Sequence, residues 1–227
     1  MECLNLSLFS ECDDDWSVAA GERIDDVALA AKACEAVPGL GYFPDYIDRD
    51  EEQAFLRAVD AAPWSSEWQR RTQHYGRSYL ESQRKKYAAA DEGEDGSTPL
   101  PEWIWGVRDR LVADNVFGRP ANQMGINEYL PGQGIAGHVD YHGGEVVSIT
   151  LGTGCVMDFH KTDGSAVASM WLAPRSMVAL KAEARSLWTH GIRSRKTDVV
   201  DGGSVARGRR VSVTLRCILY PASSPPF

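Results

Sequence analysis

The segment from Met124 to Asp140 reads MGINEYLPGQGIAGHVD, and the prediction of the fold starts there. Its first part, Met124–Leu130, has the composition of a strand, and the turn residues Pro131–Gly134 follow it. A second extended stretch then ends in His138-x-Asp140. Side chains at positions i and i+2 lie on the same face of a strand or of its end, so this pair presents an imidazole and a carboxylate together.

Three further residues extend this pattern towards metal chemistry. His190 supplies a second imidazole, and two histidines with one carboxylate leave one face of an Fe(II) ion open, as in non-heme iron oxygenases. Arg210 and Arg216 follow on an apolar strand. They are an even number of positions apart, so both side chains face the same side of that strand. Because a buried arginine needs an anionic partner and its planar fork matches a carboxylate, these arginines suit a dicarboxylate co-substrate.

Charge is distributed unevenly along the 227 residues, whose net charge is −8. Residues 1–60 hold 15 acidic and 4 basic residues, whereas residues 61–227 hold 17 acidic and 20 basic residues. The part of the chain that carries the motif is therefore mildly basic, and a nucleic-acid substrate is not excluded by the overall charge.

The cysteines and the hydropathy pattern bear on the location of the protein. Five cysteines are scattered without a C-x-x-C pair, which indicates reduced thiols rather than a zinc knuckle or a disulfide framework. No run of residues approaches the roughly 18 apolar positions of a membrane span. We therefore expect a cytoplasmic and/or nuclear protein that does not associate with membranes.

The expected fold is α+β and mainly β. Residues 1–37 are interpreted as an acidic, weakly ordered N-terminal arm with a short helix over Ile24–Val37, and residues 38–227 as one folded domain. Helices are predicted over Arg49–Ala61, capped by Asp48, and over residues 102–115. Short strands separated by turns fill the rest: Val146–Leu151, Val156–Phe159, Met170–Leu172, Met177–Lys181 and Val211–Tyr220. This spacing predicts a double-stranded β-helix, or jelly roll, with N-terminal supporting helices and a long loop over 194–209.

Several motifs taken together resemble the AlkB family of Fe(II)/2-oxoglutarate-dependent dioxygenases, from roughly residue 38 to 220. They are Asn127–Gly134, His138-Val-Asp140, Trp188–Ile192 and Arg210–Arg216. Within the family, the resemblance is strongest to the branch that hydroxylates a modified wobble uridine in tRNA, on the segments Arg70–Gly76, Asn122–Met124, Gly152–Phe159 and Ala182–His190. The resemblance implies a dioxygenase that uses Fe(II), 2-oxoglutarate as co-substrate, and O2.

The same resemblance implies roles for particular positions. His138, Asp140 and His190 would hold the iron and form the catalytic centre. Arg210 would pair with the distal carboxylate of 2-oxoglutarate, to which Tyr129 would donate its hydroxyl. Asn127 and Arg216 would lie near its carboxylate-keto end, and Ser212 could donate one hydrogen bond where relatives often have Asn.

Substrate contacts are expected from Arg71, His74, Tyr75, His142 and Lys181. Alkyl-base repair members of the family have an acidic residue where this chain has His142, and some have a Trp where it has Lys181. Because a cationic base gains from a negative partner and an aromatic face, repair of such bases is disfavoured. Four basic clusters are expected to form a phosphate-binding rim, or else to be ordinary solvated loop charges: Arg70/Arg71, Arg84/Lys85/Lys86, Arg193/Arg195/Lys196 and Arg207/Arg209.

Three classes of substrate remain open at this point. The first is a nucleobase in RNA, above all tRNA, which would be hydroxylated or oxidatively demethylated. The second is an alkylated or methylated base in DNA, and the third is a protein or a small molecule. Nucleic acid, RNA rather than DNA, is the expected partner, and the acidic N-terminus could dock a separate protein.

Overall fold

Two antiparallel sheets pack against each other and form a jelly roll in the computed structural model, which describes residues 25–66, 69–76, 98–140 and 144–218. The strands are β1 (Leu40–Phe43), β2 (Thr72–Gly76), β3 (Gln123–Tyr129), β4 (Ile135–His138), β5 (Val146–Gly152), β6 (Cys155–Lys161), β7 (Val167–Leu172), β8 (Met177–Leu180), β9 (Trp188–Ile192), β10 (Thr197–Val200), β11 (Gly203–Ala206) and β12 (Arg210–Arg216). The larger sheet has the order β1-β8-β5-β12-β3-β2 and the smaller one β4-β9-β6-β7. The predicted fold class is confirmed.

Helices contact both sheets. They are α1 (Asp26–Ala36), α2 (Arg49–Ala61), α3 (Trp105–Ala113, after a 3-10 turn at Glu102–Ile104) and α4 (Ala182–Ser186). Helices α2 and α3 pack on the outer face of the larger sheet, whereas α1 contacts β1 and β7 and α4 contacts β9. Helix α2 begins as predicted, because the Asp48 carboxylate accepts from the Glu51 amide at 2.7 Å while Glu51 accepts from the Asp48 amide at 3.0 Å. Among the described residues, no helix is long and apolar enough to cross a membrane.

The N-terminal arm is more ordered than expected where the structure describes it. The short helix predicted over Ile24–Val37 is present as α1, and it packs against β1 and β7 with Ala30 and Ala33 buried. The Tyr42 hydroxyl on β1 donates to Asp26 at 2.7 Å and ties the start of this helix to the sheet. The folded part therefore begins before residue 38, whereas residues 1–24 lie outside the described residues.

Residues 194–209 are not one long loop, which corrects a second expectation. Strands β10 and β11 form a hairpin in this region. Asp198 on β10 is fully buried and accepts hydrogen bonds from Arg195 and Arg207, which fixes the hairpin in place. A stretch rich in Gly, Ser and Arg predicts a loop. The sequence alone does not show that Asp198 is buried and organises a hairpin there.

The two faces of the larger sheet have different chemistry, and this difference positions the site. Apolar side chains of β5 and β12 point to the outer face, where they pack with α2 and α3: Val147, Ile149, Leu151, Val211, Val213 and Leu215. Polar side chains of the same strands point to the inner face, towards the smaller sheet: Ser148, Thr150, Arg210, Ser212, Thr214 and Arg216. A polar interior between two sheets is the expected location of a polar ligand.

On the outer face, Glu128 is a buried charge with two arginine partners. Its side chain is 2% exposed and accepts two hydrogen bonds from Arg71, both at 2.6 Å, and one from Arg209 at 2.7 Å. Arg71 and Arg209 hold the pKa of Glu128 below its usual value although burial acts to raise it. The cluster joins β3 to β12 and to the segment that precedes β2.

Replacing Glu128 with glutamine is expected to lower the free energy of unfolding by about 1.5–3 kcal/mol at pH 7, because two partly exposed arginines lose their charged acceptor. The lowered pKa means that this stabilisation is full above the unfolded-state pKa of about 4.3 and is lost as pH falls through the folded-state value. The difference between native protein and E128Q should therefore shrink in acid. Urea unfolding across this pH range measures it, with E35Q on the exposed side of α1 as the control; a difference independent of pH would contradict the account.

Candidate active site

His138, Asp140 and His190 converge at one end of the two sheets. His138 is the last residue of β4 and lies directly opposite His190 on β9. Asp140 follows two residues later, and one ligand atom from each of the three side chains lies within 4.8 Å of the others. The predicted grouping of these residues is therefore present in the structure, although Asp140 lies beyond the strand end.

Glycines allow β4 and β9 to approach closely enough for this grouping. A Cβ atom on Gly191, next to His190, would lie only 2.8 Å from the amide nitrogen of Gly137. A Cβ on Gly137 would in turn come within 3.3 Å of the Thr189 hydroxyl. Any larger side chain at Gly191 would push apart the two strands that carry the histidines.

The three side chains of the cluster differ in ionisation. A hydrogen bond to Asp140 raises the pKa of His138, although burial acts to lower it. The Nδ1 atom of His138 lies 3.0 Å from the Ala136 carbonyl, which can only accept, so the proton is on Nδ1 and Nε2 faces Asp140 at 3.6 Å. Burial lowers the pKa of His190 to about 4, which leaves its imidazole neutral near pH 7. Burial acts to raise the pKa of Asp140, but His138 and Arg216 outweigh it and keep the carboxylate ionised.

Two arginines mark opposite ends of the inner face of β12. Arg216 lies at the metal-ligand end, where it donates to the Asp140 carboxylate at 3.3 Å and to the Gln123 amide oxygen at 3.0 Å. Arg210 lies at the other end and is 2% exposed. It donates to the Thr150 hydroxyl at 2.9 Å and stands over the Tyr129 ring at 5.4 Å.

A small pocket opens beside Arg210. Tyr129 lines it from β3 and Cys155 from β6, and Arg207 and Gly208 line it from the segment before β12. Two N–H groups of Arg210, at Nε and Nη1, are buried and find no acceptor among the described residues. A buried cation with unused donors needs an anion, so this pocket fits a carboxylate.

The metal-ligand cluster also has buried polar atoms without a partner among the described residues. One carboxylate oxygen of Asp140 and the Nδ1 atom of His190 are buried and lack a hydrogen-bond partner within the described part of the chain. Two imidazoles and a carboxylate form the donor set of non-heme Fe(II) oxygenases. The residues present could therefore hold Fe(II), with a dicarboxylate between the cluster and Arg210.

A match to a protein family decides the identification. The sequence profile of the 2OG-Fe(II) oxygenase superfamily matches residues 39–216, which include every residue of the cluster and both arginines. The chain belongs to the 2OG-Fe(II) oxygenase superfamily. The oxygenase accordingly uses Fe(II), 2-oxoglutarate and O2, and the AlkB-like character predicted from the sequence is confirmed by its relatives.

Relatives of the oxygenase include proteins of very different length. The chain is 34% identical over 186 residues to tRNA (carboxymethyluridine(34)-5-O)-methyltransferase alkbh8 of Xenopus tropicalis, a match that covers 77% of this chain and 28% of the frog protein. It is 27% identical over 208 residues to the uncharacterised protein L905 of Acanthamoeba polyphaga mimivirus, covering 86% of this chain and 96% of that protein. The structure of OsALKBH1 shares the fold, with a TM-score of 0.57 and 17% identity over 79% of this chain and 96% of that one.

The remaining residues predicted to bind 2-oxoglutarate also lie on the inner face, but two of them have protein partners. The amide oxygen of Asn127 accepts from Arg70 Nε at 3.0 Å, and Arg70 stands over the Tyr129 ring at 5.9 Å. The Ser212 hydroxyl lies 2.8 Å from that of Ser148. A role for these two side chains towards a ligand remains a proposal.

Three of the residues predicted to contact substrate have partners within the protein: Arg71 and Tyr75 on the outer face of the larger sheet, and Lys181 beyond the end of β8. Arg71 is paired with Glu128 on the outer face and stacks on the Trp64 ring at 4.8 Å. Tyr75 packs against the helical core and donates to Gln73 at 3.1 Å. Lys181 donates to the Asn115 carbonyl at 3.2 Å, beyond the end of α3. The register of β2 with β3 decides the face on which Arg71 and Tyr75 lie. A contact of these three residues with substrate stays a prediction.

The other two predicted substrate residues have different outcomes. His74 is exposed and lies on the inner side of β2, opposite Gly125. The position that a Cβ on Gly125 would occupy is 3.8 Å from His74 Nδ1 and 3.4 Å from Arg216 Nη1, so His74 borders the metal-ligand end. His142 lies outside the described residues.

The predicted phosphate-binding rim is largely neutralised by acidic partners where it is described. Arg193 pairs with Asp158 at 2.8 Å, and Arg195 pairs with Asp198 at 2.7 Å. Arg207 also pairs with Asp198, and Arg209 with Glu128. These ion pairs give the four arginines roles within the fold, and a contact of the clusters with phosphates stays a prediction. Arg84, Lys85 and Lys86 fall in 77–97, outside the described part of the chain.

Sequence reasoning missed residues whose partners are distant along the chain. Thr150 and Gln123 hold Arg210 and Arg216, and Arg185 donates to the Asp140 carbonyl at 2.6 Å. The alternation of Ser148 and Thr150 within an otherwise apolar strand was the available signal for a polar inner face.

Proposed function

We propose that this oxygenase hydroxylates or oxidatively demethylates a nucleobase in RNA, with tRNA as the first candidate. The observation that carries the proposal is the 34% identity to a protein named for carboxymethyluridine 34 of tRNA. The chain spans 28% of that protein, so its substrate is inferred for this chain and not transferred with it. The AlkB resemblance of the sequence motifs points to the same class of substrate.

Each residue of the site has a proposed role. His138, Asp140 and His190 bind Fe(II), and Arg216 holds the Asp140 carboxylate in its ionised form. Arg210 binds the distal carboxylate of 2-oxoglutarate, and the ring of Tyr129 forms the wall of that pocket. Asn127 and Ser212 line the space between the two ends.

Bound Fe(II) with 2-oxoglutarate and O2 supplies an oxidant for an unactivated C–H bond, and 2-oxoglutarate is converted to succinate and CO2. The chain contributes polar side chains on the inner face of β5 and β12, between the metal ligands and Arg210. If the oxidised carbon is a methyl group on nitrogen, the hydroxylated product loses formaldehyde and the base is demethylated. If the carbon is not attached to nitrogen, a stable alcohol remains.

The RNA proposal predicts that basic residues outside the ion-paired clusters contact phosphates. Lys85 and Lys86 belong to one of the predicted basic clusters and are candidates for such contacts. K85E/K86E should therefore weaken tRNA binding and flatten its dependence on salt. The logarithm of the affinity against that of salt should lose a slope of about 0.7–0.9 for each lost phosphate contact. Filter binding across a salt series measures this slope.

The matched control reverses two positive charges on helices outside the predicted basic clusters. Lys32 on α1 and Arg57 on α2 are exposed and lie on helices that support the fold. K32E/R57E changes the net charge by the same amount and should leave the salt slope close to that of native protein. Equal losses in the two double variants would indicate a non-specific charge effect and count against the nucleic-acid interface.

Location and partners are part of the proposal. We infer a cytoplasmic or nuclear protein from the scattered thiols, and the described cysteines form no disulfide. A protein partner for the acidic N-terminus would involve mostly residues 1–24, which lie outside the described residues.

A further inference from the structure

Arg185 links the two segments that carry the metal ligands. It lies on α4, five residues before His190, and its side chain crosses to the loop after β4. There its Nη1 atom donates to the backbone carbonyl of Asp140 at 2.6 Å. A hydrogen bond from a charged donor at this distance is short and strong, and it acts on the peptide of the ligand rather than on its carboxylate.

Among the described residues, the backbone of Asp140 has little other support. Strand β4 ends at His138, and its pairing with β9 is irregular between Ile135 and His138. Pairing between strands therefore does not fix the direction of the Asp140 side chain. Side chains do so instead: Arg216 donates to the carboxylate at 3.3 Å, His138 Nε2 lies 3.6 Å from it, and Arg185 donates to the carbonyl.

Burial of Arg185 carries a cost that its one hydrogen bond does not offset. The residue is 8% exposed, and its Nε and Nη2 groups have no acceptor among the residues that the structure describes. An apolar side chain of similar volume would avoid this cost, so fold stability alone does not explain an arginine here.

We propose that Arg185 is a positioning residue for the metal centre, which holds the Asp140 peptide so that its carboxylate points at the ion together with His138 and His190. The proposal rests on the metal site proposed above. Groups that orient a metal ligand change metal affinity by about 10- to 100-fold when they are removed. Arg185 would act in this way through the backbone.

Four variants and a metal titration test the proposal. R185M removes the charge but keeps the volume, R185K keeps a donor, and H190A removes a ligand. R119M is the matched control, because Arg119 also donates to a backbone carbonyl, that of Ile218, but on an exposed surface. The measurements are Co(II) binding followed by the visible absorption of the bound ion, and the melting temperature of the metal-free protein.

R185M should weaken Co(II) binding by about tenfold or more and change the visible spectrum of the bound ion. R185K should recover part of the affinity, and R119M should bind as native protein does. The metal-free R185M protein should melt at the native temperature or above it, since a costly buried charge is gone. If Arg185 only stabilised the fold, metal-free R185M would melt at a lower temperature and would keep the native Co(II) spectrum.

Three results would overturn the proposal. Native Co(II) affinity and spectrum in R185M, with binding lost in H190A, would mean that the metal site stands but Arg185 does not position it. A large drop in the melting temperature of both metal-free R185M and R185K would show a structural role. Native Co(II) binding by H190A would contradict the metal site itself and this inference with it.

Discussion

H190A is expected to lose Fe(II) binding and, with it, the turnover of 2-oxoglutarate. His190 supplies one of three donors, and its ring is buried opposite His138 with Nδ1 unpartnered among the described residues. Loss of a group that only orients a ligand lowers affinity by about 10- to 100-fold, so loss of a ligand should exceed that range. Anaerobic Fe(II) titration and succinate formation measure the two effects.

A second histidine provides the control for this variant. His160 on β6 is exposed and lies on the smaller sheet next to the β9 strand that carries His190. H160A should bind Fe(II) and form succinate at the native rate. Full succinate formation by H190A would contradict the assignment of the metal ligands.

R210A is expected to raise the concentration of 2-oxoglutarate needed for half-maximal rate. Arg210 is the buried cation of the inner pocket, and two of its N–H groups have no acceptor in the described structure. Truncation of one partner of a buried, hydrogen-bonded charge pair costs about 2–5 kcal/mol, which corresponds to at least about a 30-fold increase in this concentration. Steady-state kinetics with 2-oxoglutarate as the varied substrate measure it.

The matched variants of Arg210 separate charge from fork geometry. R210K keeps the charge but loses the bidentate fork, so its requirement should lie between those of native protein and R210A. R119A removes an exposed arginine and should behave as native protein. Co(II) affinity should be retained in R210A, because Arg210 lies at the opposite end of β12 from Arg216 and Asp140. An unchanged requirement for 2-oxoglutarate would refute the role of Arg210.

The jelly roll and the positions of the metal ligands could be predicted because both depend on local patterns. Short apolar runs separated by turn residues define strands, and His138-x-Asp140 fixes the relation of two ligands by the alternation of a strand. Asp48 and Glu51 likewise encode the start of α2 within four residues. Such signals do not require knowledge of which strands pair.

Features that depend on pairing across the chain could not be predicted. Whether Arg70 or Arg71 faces the site depends on the register of β2 with β3, and the structure places Arg70 beside Asn127 and Arg71 beside Glu128. Arg209 reaches Glu128 across 81 positions, so its ion pair was not visible as a sequence pattern. The sequence therefore predicts the strands and shows where the charges lie along the chain. It does not show which face each arginine occupies or which residue it pairs with.

The central claim is that this 2OG-Fe(II) oxygenase acts on a nucleobase. The most direct test reconstitutes the protein anaerobically with Fe(II) and 2-oxoglutarate, exposes it to air with total tRNA or with methylated DNA, and analyses the nucleosides by mass spectrometry. We expect that one oxygen is gained on a uridine derivative of tRNA, or that a methyl group is lost from an RNA base. The native protein and the H160A variant should both do this, whereas H190A should not. Modification of DNA alone would move the substrate to DNA, and succinate formed with every nucleoside unchanged would contradict the claim.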